Sequence, residues 1–202
     1  MTNGPRFGGG RFALGDVRYR LGMDAPDLHP LNAALIPLLG TWQGPGEGAY
    51  PTIRSFSYGE TLTFGHVGKP FLALQQRTQE RESGLPLHAE AGYLRPQGDG
   101  TIELVLSQPS GIVEIHTGTV AETEAGVDVD LTAEAVHLSP SAKMVRETRR
   151  RYVVEGDTLT LELTGAGDAE TLSRLMTPLA RLTWIEDDLG TDKGVVLRWE
   201  SL

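Results

Sequence analysis

From Gly40 onward, apolar residues recur at every second position. Phe56, Tyr58, Leu62 and Phe64 alternate with polar neighbours, as do Ile102, Leu104 and Leu106, then Val127, Val129 and Leu131, then Leu159, Leu161 and Leu163. A period of two is that of a strand with one buried face. Turn chemistry separates the runs at Gln97-Gly98-Asp99-Gly100, Pro109-Ser110-Gly111, Glu124-Ala125-Gly126 and Glu155-Gly156-Asp157. Connections this short join antiparallel neighbours and leave no length for a helical crossover. The pattern predicts about ten strands between Gly40 and Glu186. So long a meander must split into two sheets or close on itself. The expected fold is all-β: a closed antiparallel up-and-down β-barrel with a short N-terminal helix and a flexible leader. A barrel of that size is wider than the eight-stranded kind that side chains can fill, so an internal cavity is expected.

Two segments depart from the alternation. Pro30 to Leu39 is apolar at helical spacing and is expected to plug one barrel mouth. Ala169 to Met176 is rich in helix formers and is expected as a short helical turn between the last two strands. The domain boundaries follow: a leader at 1–28 with Gly8, Gly9 and Gly10 in a row, the barrel at 29–186, and an extension at 187–202.

Composition narrows the chemistry. With no cysteine among 202 residues, disulfides, zinc-thiolate sites and thiolate catalysis are excluded. A net charge of -9 gives poor footing on phosphate backbones or anionic lipid, so neither nucleic acid nor membrane is an expected partner. Arg149, Arg150 and Arg151 form a compact basic run, read as strand residues that alternately face solvent. Early positive charge is followed by no apolar secretory core, and no later run is long enough to span a bilayer. A cytoplasmic location is expected. No G-x-S-x-G elbow or H-E-x-x-H pair is present, and Glu47, Glu60 and Glu90 are read as separate, solvated charges.

The stretch from Gly40 through Ile53 (GTWQGPGEGAYPTI) places Gly40, Gly44, Gly46 and Gly48 at even positions around Trp42. Repeated glycine on one face admits a close backbone crossing or leaves room for a ligand. Trp42 itself is read as a packed residue closing the barrel floor. The stretch resembles the G-x-W-x-G-x-G signature of the nitrobindins, small haem-binding β-barrels grouped with fatty-acid-binding proteins. The similarity continues through Phe56-Ser57-Tyr58-Gly59-Glu60, His66-Val67-Gly68-Lys69-Pro70-Phe71, Gln76-Arg77-Thr78, His88 to Pro96 and Ser141-Ala142-Lys143.

The resemblance implies a cavity lined by Thr52, His88, Gln108 and Lys143, with Lys143 near a haem edge. It also implies a single iron-ligating histidine near the C-terminus. In this chain that place falls on Leu175 or Thr177, and the five histidines, His29, His66, His88, His116 and His137, all precede it. Leucine and threonine offer haem iron no suitable lone pair. Met176 is a soft substitute, more ordinary as core filler. The expectation is therefore a barrel without a cofactor or metal and without catalysis, binding a small apolar molecule, with a second copy of the chain as a candidate partner. The rival reading is a ferric haem protein that handles nitric oxide or isomerises peroxynitrite to nitrate, using Met176 or a relocated histidine.

Overall fold

The alternating runs become strands because each can bury one face only by joining its neighbours. In the computed structural model, which describes residues 26–50, 53–167 and 173–181, ten strands close into a barrel. They are β1 (Gly40–Tyr50), β2 (Ile53–Gly65), β3 (Leu72–Glu80), β4 (Pro86–Pro96), β5 (Thr101–Ser107), β6 (Ile112–Glu122), β7 (Gly126–Leu138), β8 (Val145–Glu155), β9 (Thr158–Gly167) and β10 (Ser173–Arg181). All pairings are antiparallel; they join chain neighbours except where β1, already paired with β2, meets β10 and closes the ring. The expected up-and-down barrel is thus observed, and closure leaves it no sheet edge.

The up-and-down order sorts the connections onto two ends. At one end lie the β2–β3, β4–β5, β6–β7 and β8–β9 turns, together with a 3₁₀ helix at Pro30–Leu38. This end is the floor. The helix was expected there, and its tight winding suits Pro37, which has no N–H to give to a regular α-helical ladder. Leu35, Leu38 and Trp42 are fully buried, and Trp42 Nε1 donates to the Leu38 carbonyl at 2.8 Å. Asn32 Nδ2 fastens the helix to the β2–β3 turn by donating to the carbonyls of Lys69 (2.8 Å) and Phe71 (3.3 Å). Above the floor, Leu62, Leu72, Leu94, Leu104, Val129 and Leu159 fill the lumen. Burying each such side chain is worth on the order of 2 kcal/mol.

Two expectations need correction here. Ser173 to Met176 are strand, not helical turn, because they pair on both sides: Met176 with Glu47 of β1 and with Glu162 of β9. Tertiary pairing overrides a modest helix propensity. Secondly, the space made by glycine on the inner face of β1 is taken at Gly46 by the chain's own Tyr58. The two residues are direct cross-strand partners, and a Cβ on Gly46 would fall inside the tyrosine ring's envelope. The leader up to residue 25, the extension from 187 and residues 168–172 lie outside the described residues.

Candidate functional site at the barrel mouth

The end opposite the floor gathers the β3–β4, β5–β6 and β7–β8 connections. His88 near the start of β4, Gln108 after β5 and Lys143 between β7 and β8 all lie at this end. Lys143 is exposed and sits in the loop, not in a strand. Thr52 lies outside the described residues. The other histidines are elsewhere: His29 caps the floor helix by accepting from Leu31 N, His66 accepts from Gly68 N in the β2–β3 turn, and His137 is exposed on β7.

Beneath the mouth, a charged layer crosses the barrel. Glu90 on β4, Glu114 and His116 on β6, and Thr148 and Arg150 on β8 are all buried. Glu60 and Gln76, also buried, are hydrogen-bonded to each other from β2 and β3. Reading Glu60 and Glu90 as solvated charges is therefore overturned. Each occupies the inward series of its strand, Glu90 with Leu94 and Glu60 with Leu62 and Tyr58.

Arg150 binds both acids. Its Nη1 and Nη2 donate to Glu90 Oε2 and Oε1 at 2.7 and 2.9 Å, a bidentate pair, and Nη2 donates to Glu114 Oε2 at 3.1 Å. Planar, forked geometry of this kind is specific to arginine. Burial alone would raise the Glu90 carboxyl, but Arg150, with help from His88, outweighs it and holds the group down at about 2. Its flanking arginines face outward, where Arg149 pairs with Asp130 and Arg151 with Asp128.

Two imidazoles touch this layer. His88, whose side chain is 37% exposed, lies with Nε2 at 3.1 Å from Glu90 Oε1. His116 is fully buried. Thr148 Oγ1 donates its single proton to Glu114 Oε2 (3.0 Å), so it accepts from His116 Nε2, also at 3.0 Å. His116 Nδ1 then carries a lone pair, and among the described residues that atom has no hydrogen-bond partner. Burial, reinforced by Arg150, pushes the His116 ring down to about 4, so it is neutral near pH 7. Gln108 closes the wall by donating to Glu114 Oε1 at 2.6 Å.

On the opposite wall, Leu175 and Thr177 are in register with Leu163 and Leu161 of β9, whereas Met176 is opposite Glu162. Leu161 is buried, while Glu162 belongs to the alternate series that carries the outward Arg149 and Arg151 pairings. The residues that sequence reasoning missed are Glu114, His116, Thr148 and Arg150. Their signal was parity along the strand, not residue type.

The molecule is thus a closed antiparallel β-barrel plugged at one end, with a buried charged layer beneath the other. The chain belongs to the THAP4-like, heme-binding beta-barrel domain family, whose profile matches residues 32–181. It is 52% identical over 133 residues to peroxynitrite isomerase 1 of Mycolicibacterium paratuberculosis, spanning 66% of this chain and 83% of that protein. It is 44% identical over 146 residues to the peroxynitrite isomerase of Nocardia farcinica, spanning 72% and 87%. The crystal structure of Rv2717c from M. tuberculosis superposes with a TM-score of 0.75 at 43% identity, covering 78% of this chain and all of that one (100%).

These findings correct two expectations. A barrel without a cofactor is set against membership of a family described as heme-binding. A protein without catalysis is set against relatives at 44–52% identity that carry an enzyme's name. The physical reason the sequence misled is that one position, Leu175 or Thr177, was allowed to stand for the whole donor set. The mouth holds other nitrogen chemistry, and His88 Nδ1 makes no hydrogen bond among the described residues. Among the described residues, His88 is the partly exposed imidazole that this end offers, and its Nε2 is held by a buried carboxylate. Among the described residues, no helix is long and apolar enough to cross a membrane.

Proposed function

We propose that this chain binds ferric haem at the barrel mouth and isomerises peroxynitrite to nitrate, with His88 in place of a β10 histidine as the axial ligand. The observation that carries the reading is the 44–52% identity to proteins named peroxynitrite isomerase across most of their length. Within the chain, the choice of His88 follows by elimination. His29 and His66 are at the floor, His137 is on the outer face, and His116 is sealed beneath the charged layer. Met176 shares the register of Glu162. Leu175 or Thr177 stands where the resemblance would put the family's histidine.

When bound, ferric haem supplies a Lewis-acidic iron at which peroxynitrite rearranges to nitrate, an isomerisation with no net change in electrons or protons. The chain's own contribution is to hold and screen. Glu90 orients His88, and Arg150 keeps Glu90 ionised. The leucine-filled lower lumen and the Trp42 plug exclude water from below. Lys143, exposed on the β7–β8 loop, is a cation within the mouth connections for an anionic substituent.

Hemin titration of the full chain tests the reading. Stoichiometric uptake with a sharp Soret band is expected, along with accelerated peroxynitrite decay that raises nitrate yield over nitrite. His88→Ala should weaken hemin uptake at least tenfold, and Met176→Ala should leave it unchanged. Absence of any Soret band in the wild-type chain would defeat the proposal.

A further inference from the structure

A groove of about 350 Å³ lies against the plugged floor, between the 3₁₀ helix, the β2–β3 turn and the β4–β5 turn. Leu31, Pro70, Phe71 and Pro96 give it apolar walls, and Lys69 and Arg95 add two cations. The Phe71 ring is braced edge-on by Tyr93, with centroids 5.2 Å apart. Arg95 is paired with Glu103, whereas Lys69, exposed on the turn, makes no ion pair among the described residues. Apolar walls beside an unpaired cation suit a segment that carries both acid and large apolar side chains.

Two stretches of this chain meet the barrel at its floor end. Residues 1–25 lead into Pro26, which lies against Gly68. Residues 182–202 follow Arg181, which pairs with Trp42 at the start of β1. Trp42 pairs in turn with Leu62, so the exit from β10 stands two strand spacings, about 10 Å, from β2. Glu186 follows Arg181 by five residues, a reach of up to about 17 Å, and Val195 by fourteen, up to about 46 Å. Length admits either stretch, and charge separates them. Before Pro26, Arg6, Arg11, Arg18 and Arg20 outnumber Asp16 and Asp24, so that stretch has the sign of Lys69. After Arg181, Glu186, Asp187, Asp188, Asp192 and Glu200 outnumber Lys193 and Arg198, and Val195, Val196, Leu197 and Trp199 supply apolar bulk. The family profile matches residues 32–181, so this segment is an addition to the shared barrel.

We propose that residues 182–202 fold back into the floor groove of their own chain, with the Glu186–Asp188 acids beside Lys69 and the Val195–Trp199 run over Leu31, Phe71 and Pro96. The order agrees: going round the floor from β10, the β2–β3 turn comes before the β4–β5 turn, as the acids come before the apolar run. A tether this short gives an effective concentration of about millimolar, so even a weak contact stays populated. The segment is then an outer cover beneath the Trp42 plug, independent of what the mouth binds.

The chain has no cysteine, so one introduced thiol carries one label. In the full-length, 15N-labelled chain, a nitroxide on Lys193→Cys should broaden the amide signals of Leu31, Phe71 and Gln97 and spare Ser110 and Met144 at the mouth. Lys69→Glu should abolish that broadening, and adding Asp187→Lys with Asp188→Lys should restore it. Should Lys69→Glu disturb the turn, the two aspartate substitutions alone, which lie outside the family barrel, should produce the same loss. Unbroadened groove signals, broadening that survives both charge reversals, or a charge swap that restores nothing would overturn the proposal. Equal broadening when a nitroxide-bearing chain without 15N is mixed with an unmodified 15N chain would assign the groove to a second copy and overturn it too. So would broadening from a nitroxide on Ala13→Cys with none from Lys193→Cys, which gives the groove to the residues before Pro26.

Discussion

Arg150 meets two carboxylates in a place where no member of the trio can turn to water. Removing the cation strands both acids, so Arg150→Met should destabilise the fold by about 3–5 kcal/mol in urea denaturation. Arg149→Met, which breaks an exposed pair with Asp130, should leave the urea midpoint nearly unchanged. Gly46 offers a second test. Gly46→Ala drives a methyl group into the Tyr58 ring and should cost about 1–3 kcal/mol, with much of the loss recovered in the Gly46→Ala, Tyr58→Leu double variant. The charged layer was readable from strand parity. Glu114 follows Ile112 by two, and Arg150 precedes Tyr152 and Val154 on the same face. Judging Glu60 and Glu90 by type assigned them to solvent, because isolated buried charges are rare and only the partner strands reveal the pairing.

At the scale of elements, one side chain ties the floor helix to the β2–β3 turn. Asn32→Ala removes both donations to the β2–β3 turn and leaves the Lys69 and Phe71 carbonyls without them. A loss of about 1–3 kcal/mol is expected, accompanied by faster amide exchange in the helix and at the start of β3. Alternation made most strands legible, since each spans enough residues for a period of two to stand out. β10 was less so. Its Ser173-Arg174-Leu175-Met176 carries helix formers, and only the waiting edges of β1 and β9 make it a strand. No local pattern encodes that demand.

At the scale of the whole molecule, acid should weaken the barrel earlier than its carboxylates alone would suggest. His116 titrates near 4 when folded, through burial and then Arg150, against an ordinary value of 6.5. Between those values the unfolded chain binds more protons, so stability is full above pH 6.5 and is lost as pH falls toward 4. The loss should reach roughly 3 kcal/mol, seen as a falling urea midpoint, and a His116→Phe variant should flatten that window. Barrel closure was legible from the meander, but what fills the lumen was not, because interior contacts join residues far apart in the chain. The pairing of Trp42 with Arg181 carries a consequence for biosynthesis. A ribosome releases β1 long before its second neighbour exists, so the nascent sheet grows with two raw margins until the last strand emerges. Chains stopped short of Ser173 should therefore be captured by chaperones or self-associate through those margins, and quality control should treat β10 as the clasp that declares the molecule finished.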